Sequence, residues 1–173
     1  IIIWTDVGAI DTQSKIDEKL SQWASWGIRG IKVDFMMNDS QTRMNTYQMI
    51  ASKAISLELL VNFHGSTKPS GESRTYPNII TSEAIRGAEH YKWSEYPTAY
   101  HNCTVPFTRN VIGGMDYTPV VISTNNLNTT QAHQLALSVV FESPMQHFAD
   151  SIDSYDSWVG LTYLNSIPCK WDE

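Results

Sequence analysis

Two short stretches decide the fold: Gly30-Ile31-Lys32-Val33-Asp34-Phe35 and Leu59-Leu60-Val61-Asn62-Phe63. Each is a brief apolar run bounded by glycine or a polar segment, as expected of strands buried on both faces of a parallel sheet. Outward from them, strand-like runs recur at 1–5, 30–35, 57–63, 78–82, 114–118 and 145–149. Helical periodicity fills the gaps. After the possible cap Asp11, Ile16, Leu20, Trp23 and Gly27 share one face. Asn38-Asp39-Ser40 offers a second cap, before Met44, Tyr47, Ala51 and Ala54. Thr129-Thr130 opens a third helix through Ala132, Leu135 and Val139 to Glu142. Strand and helix alternating every 30 residues or so are the mark of βαβ units.

The fold class is therefore α/β. A closed (β/α)8 barrel takes about 250 residues, so 173 residues correspond to roughly five and a half units. Two architectures fit: a doubly wound sheet of six strands, or a TIM-type barrel lacking its first two units. Residues 1–166 are expected to form this domain, about strands 3–8 in the barrel reading. Residues 167–173, Ile167-Pro168-Cys169-Lys170-Trp171-Asp172-Glu173, read as a connector to a further domain. The opening Ile1-Ile2-Ile3-Trp4 reads as a strand already under way, so a piece of a longer protein is expected.

Composition removes several functions. With 12 Lys+Arg against 18 Asp+Glu, a net charge of −6 and a pI near 5.3, the chain has no nucleic-acid footprint. Apolar residues at 42% and charged ones at 17% exclude intrinsic disorder. No apolar stretch approaches the roughly 18 residues of a membrane-spanning helix, so no membrane insertion is expected. Cys103 and Cys169, 66 residues apart, match no metal spacing and leave open whether they pair. No GxxxxGK[ST], GxGxxG, GxSxG or HExxH occurs.

Polar residues gather where strands end: Asp6, Lys32 and Asp34, Asn62 and His64, Glu83, Asp116, His147 and Asp150. In parallel α/β folds that edge forms the active-site rim, although Asp and Asn there also cap helices. Period 2 puts Lys32 and Asp34 on one side of their strand. They either neutralise each other or leave an ionised carboxylate available as a nucleophile. Glu83 and Glu89 lie six residues apart. Glycosidases need two carboxyl groups, one of them protonated for the leaving oxygen, and Glu89-His90-Tyr91-Lys92-Trp93 has the hydrogen-bonding and aromatic character of a sugar pocket.

Taken together, Lys32-Val33-Asp34-Phe35, Val61-Asn62-Phe63-His64-Gly65, Arg74-Thr75-Tyr76-Pro77-Asn78, Glu83 to Glu89, Pro106-Phe107-Thr108-Arg109, Met115-Asp116-Tyr117-Thr118-Pro119 and Gln146-His147-Phe148-Ala149-Asp150 resemble glycoside hydrolase family 97 in order along the whole chain. The resemblance implies a secreted or periplasmic bacterial exo-acting α-glycosidase with a (β/α)8 barrel, flanking β-domains and a calcium ion. Inverting members carry a catalytic Glu directly after the His of the Asn62-Phe63-His64 motif, where this chain has Gly65. Retaining members carry an Asp nucleophile at the position of Asp34. The resemblance thus implies a retaining, α-galactosidase-like enzyme acting on an oligosaccharide or other α-glycoside. Asp34 is its nucleophile, Glu89 its acid/base and Glu83 a calcium ligand; Lys32, His64, Trp4 and Asp6 bind substrate. Retention requires the two carboxyl groups to stand about 5–5.5 Å apart in a folded enzyme. An α-glucosidase, a β-L-arabinopyranosidase and an inactive sugar-binding fragment are the alternatives.

Overall fold

The computed structural model describes residues 1–93, 95–168 and 171. The chain divides into two compact units, Ile1–Ala84 and Ile85–Glu173.

The first unit is a parallel sheet, β1 (Ile2–Asp6), β2 (Gly30–Asp34), β3 (Leu60–Phe63) and β4 (Ile79–Ser82), with strands adjacent in chain order. Helix α1 (Gln13–Ser25) joins β1 to β2, α2 (Gln41–Ser56) joins β2 to β3, and the single turn α3 (Glu72–Thr75) lies before β4. Thr12, not Asp11, caps α1, its Oγ1 accepting from the Lys15 N–H at 3.4 Å. Asp11 instead pairs with Lys15 Nζ at 2.8 Å. Ser40 caps α2. The faces expected from sequence are the ones that bury: Ile16, Leu20 and Trp23 of α1, and Tyr47, Ala51 and Ala54 of α2 with Ile50 between them. They pack on Ile31, Val33, Val61 and Phe63. Burying a side chain of this kind contributes about 1.5–3 kcal/mol, which is why helical and strand periods were readable at all.

Alternation sends the intervening strand residues to the opposite face. There the sheet is polar. Trp4, Lys32, Asn62 and Thr81 lie side by side in register, and Asp6 pairs with Asp34 at the strand ends. The expectation of strands apolar on both faces is thereby corrected.

The second unit holds α4 (Ala99–Thr104), α5 (Gln131–Val140), α6 (Ile152–Asp156) and α7 (Leu161–Leu164), with short 3-10 turns at Ala88–Lys92, Val105–Phe107 and Arg109–Ile112. Its core joins Ala88, Tyr91, Val105, Met115, Tyr117, Val121, Leu137 and Phe141. Gly87 lets two segments approach: a Cβ there would stand 2.5 Å from the Tyr117 carbonyl oxygen, which accepts from the Ala88 N–H at 2.9 Å. Arg109 is buried, donating to the Gly113 and Gly114 carbonyls at 3.1 and 3.2 Å, and burial pushes its guanidinium down to about 10.

The α/β class and the parallel sheet match expectation, but the described residues form four paired strands, not six. Neither 114–118 nor 145–149 joins a sheet. Met115 makes one bridge-like bond to the Glu142 carbonyl at 3.0 Å. Thr118 and Val120 then turn to positive φ, 54° and 68°, a conformation outside the β region. Pro119 and Pro144 also lack the N–H that a ladder needs. Likewise Leu57 caps α2 and Glu58 is left-handed, so β3 starts only at Leu60. Cys103 is exposed, while Cys169 and most of the expected connector lie outside the described residues.

Candidate active site

Parallel strands aim their carboxyl ends at one rim, and β1 to β3 deliver five of the sequence-selected side chains there or one step below it: Trp4, Asp6, Lys32, Asp34 and, just past β3, His64. Asp34 is the last residue of β2 and is partly exposed. Both its oxygens are held. The Trp4 indole N–H donates to Oδ2 at 3.1 Å, and the Phe35 backbone N–H donates to Oδ1 at 2.7 Å. Phe35 makes the second bond from a left-handed conformation, φ 60°. Hydrogen bonds to the segment just after β3 keep it there: Met36 N–H to the His64 carbonyl at 3.3 Å and Met37 N–H to the Gly65 carbonyl at 2.7 Å. Met36 plugs the core, while Phe35 and Met37 face solvent.

Gly65 faces this turn at φ 51°; a Cβ on it would lie 3.2 Å from the Phe35 N and Cα and 3.5 Å from Asp34 Oδ1. Its N–H donates to Glu83 Oε2 at 2.7 Å. Glu83 also approaches buried His64, Oε1 lying 3.6 Å from Nδ1. Glu83 follows β4 directly, and no helix begins at Ala84, so it acts on the loop after β3 and caps no helix of its own. Asp6 does cap: its Oδ1 accepts from the Gly8 N–H at 2.6 Å and starts the 3-10 turn Val7–Ile10. Lys32 is half-buried between Trp4 and Asn62 in the polar row.

In the second unit Glu89 is half-buried in the first turn of Ala88–Lys92. The polar strand-end residues of that unit are built into its scaffold. Fully buried Asp116 accepts from His147 twice, from the backbone N–H at 3.2 Å and through Nδ1 at 2.7 Å. Burial by itself would raise the Asp150 carboxyl, but hydrogen bonds from the Ser123 hydroxyl and the Ile122, Ser123 and Ser151 N–H groups hold it below the usual range.

As a cation ligand, Glu83 has the hard oxygens that calcium prefers, but calcium takes six to eight of them. Among the described residues no group of three or more His, Cys, Asp or Glu side chains could hold a metal. Glu83 thus has oxygen chemistry suited to calcium, but among the described residues no cluster of such side chains surrounds it to complete a shell. Sequence reasoning missed the Trp4–Asp34 bond, which joins residues 30 apart, and the role of Gly65 as clearance; only the strand register exposes either.

A parallel α/β sheet whose rim presents a backbone-anchored carboxylate beside a half-exposed indole defines a class: an α/β protein with a carboxylate-centred site at its strand ends. Comparison with known proteins narrows it. Residues 1–85 match the family described as Glycoside hydrolase 97. Over 99% of its length the chain is 38% identical to a Streptomyces bingchenggensis protein named "Probable retaining alpha-galactosidase", covering 27% of it. Over 100% of its length it is 32% identical to the "Retaining alpha-galactosidase" of Bacteroides thetaiotaomicron, covering 28% of it. Among solved structures, a beta-arabinopyranosidase superposes at TM-score 0.83 with 27% identity, over 99% of this chain and 32% of that one. A Glycoside Hydrolase Family 97 enzyme from Pseudoalteromonas sp. strain K8, in complex with acarbose, gives 0.90 with 25% identity, over 99% and 31%. The chain thus matches glycoside hydrolase family 97 over residues 1–85 and is similar along its whole length to proteins named as retaining alpha-galactosidases. It spans just over a quarter of the length of these curated relatives.

Proposed function

We propose that this chain carries the catalytic carboxylates of a retaining, exo-acting α-galactosidase. One observation carries the reading: Asp34 ends β2 with both oxygens tethered, while Gly65 leaves open the position that holds the catalytic Glu in inverting members. A nucleophile must approach the anomeric carbon in a fixed orientation, and tethering removes the rotational freedom that would oppose this. In the first step an Asp34 oxygen bonds to the anomeric carbon as the glycosidic C–O bond breaks, and Glu89 gives its proton to the departing oxygen. In the second, the Glu89 carboxylate takes a proton from water, the water oxygen bonds to the anomeric carbon, and the ester bond to Asp34 breaks. The sugar leaves with its original configuration. Lys32, His64, Trp4 and Asp6 complete the proposed sugar-binding rim.

The same proposal places the four-stranded sheet within a (β/α)8 barrel, supported by its sequential parallel order and its superposition on family structures. It includes calcium, with Glu83 as a ligand from this chain; when bound, such an ion offsets negative charge at the rim. It also includes export from a bacterial cell. The superposition on a beta-arabinopyranosidase keeps one second substrate in view, because β-L-arabinopyranosides share the ring stereochemistry of α-galactosides and lack only the C6 hydroxymethyl. Hydrolysis of paired aryl α-galactoside, α-glucoside and β-L-arabinopyranoside by the full-length protein tests the assignment. Fastest turnover of the α-galactoside is expected; turnover of the α-glucoside alone would overturn it.

A further inference from the structure

We propose that Trp4 is the positioning residue for the Asp34 carboxylate, fixing its plane by an indole N–H bond to Oδ2 while the Phe35 amide fixes Oδ1. The inference rests on the retaining reading above. It adds to the place of Trp4 on the sugar-binding rim a role that acts through Asp34.

An aspartate held at one oxygen by its neighbour's backbone N–H can still swing its other oxygen about that anchor. A second donor, on the other oxygen and from a separate strand, removes the swing. Trp4 is suited to this. It pairs in register with Lys32, one alternation below the Asp6–Asp34 pair, so it is the diagonal neighbour of Asp34 on the same face. A long side chain spans that diagonal. Indole is a donor only, so it cannot present a lone pair to the carboxylate in any rotamer. Bonds of this kind to an ionised acceptor are about twice as strong as neutral ones.

Burial does not explain the bond. Trp4 is 53% exposed, so water is available to satisfy its N–H without Asp34. The ring is nevertheless held in place, set edge-on against Phe35 at 89° with centroids 6.2 Å apart. Phe35 is itself 49% exposed and left-handed, an unfavourable state for a bulky residue away from a packed core. Two half-exposed rings and a strained turn thus converge on one carboxylate. Strain retained in this way belongs to sites that need a fixed geometry.

The test uses the full-length protein and an aryl α-galactoside. Trp4→Phe keeps the ring and deletes the donor. It should lower kcat by about tenfold or more, the loss expected when a hydrogen bond to a charged group disappears, with KM changed less than about threefold. Trp4→His, which restores a ring N–H, should recover part of kcat. In Asp34→Ala rescued by azide, adding Trp4→Phe should cost nothing further, because the group it positions is gone. A raised KM at unchanged kcat, or an equal loss in the azide-rescued background, would assign Trp4 to the sugar alone and overturn the proposal. So would unchanged kinetics in Trp4→Phe while Asp34→Ala is inactive, an outcome that leaves the retaining reading standing. Full activity of Asp34→Ala would remove both.

Discussion

Substituting Gly65 by alanine, with Gly71→Ala as its companion, separates backbone strain from crowding at the carboxylate. Both glycines have positive φ, 51° and 112°, so a side chain at either is strained by about 1–2 kcal/mol. Around Gly71 nothing lies within 4 Å, and strain is the whole cost. At Gly65 the new Cβ meets the Phe35 N and Cα at 3.2 Å, tighter than ordinary van der Waals contact, with Asp34 Oδ1 behind them at 3.5 Å. The two atoms at 3.2 Å are backbone, so relief must come from a shift of a few tenths of an ångström in the turn that anchors Asp34. Misplacement approaching 1 Å can cost about a hundredfold in rate. We therefore expect Gly65→Ala to lower kcat on an aryl α-galactoside by roughly tenfold or more and Gly71→Ala to leave it within about twofold. Urea unfolding should register a comparable loss of stability in both. Equal kcat in the two variants would refute the claim that Gly65 provides clearance for the Phe35 turn and the carboxylate.

The remaining predictions concern a carboxylate in each unit. Asp150 has a depressed folded pKa, so its hydrogen bonds stabilise the fold above the unfolded value of about 3.9 and are lost as pH falls through the folded one. Asp150→Asn should accordingly be less stable than the parent at neutral pH, with the gap in urea midpoint closing below pH 4 or so; a gap independent of pH would contradict the linkage. Glu83→Gln keeps an oxygen that can accept from the Gly65 N–H, so its folding stability should change by less than about 1 kcal/mol. Under the calcium proposal this variant should lose activity at calcium concentrations that saturate the parent, and the parent should lose it in chelator. Parent activity unaffected by chelator would end the metal assignment.

Much of the first unit was legible because its periods are enforced by burial. Ile16, Leu20 and Trp23 share a helix face, and Ile31 and Val33 face that helix while Lys32 and Asp34 point away. Alternation alone put Asp34 on the polar side of its strand, and the family resemblance alone implied its role. The turn after it was not legible: nothing in Phe35-Met36-Met37 announces two left-handed residues, which the segment after β3 imposes through its His64 and Gly65 carbonyls. Glu83 was marked by its place after a strand, but its reach back to Gly65 depends on the β3–β4 pairing. In the second unit, 114–118 and 145–149 have strand composition, yet Asp116 ties them through His147 as a buried side-chain clamp and not as a ladder. Local propensity there yields to tertiary bonding.

Under the retaining proposal Asp34 forms a covalent bond to the sugar. Its most direct measurement is the product that Asp34→Ala releases from an aryl α-galactoside with azide present, followed by proton NMR. Negligible hydrolysis is expected without azide and, with it, a β-galactosyl azide, inverted at the anomeric carbon because azide attacks once where Asp34 would have attacked first. Hydrolysis at the parent rate by Asp34→Ala, or first-formed β-galactose from the unsubstituted enzyme, would contradict it.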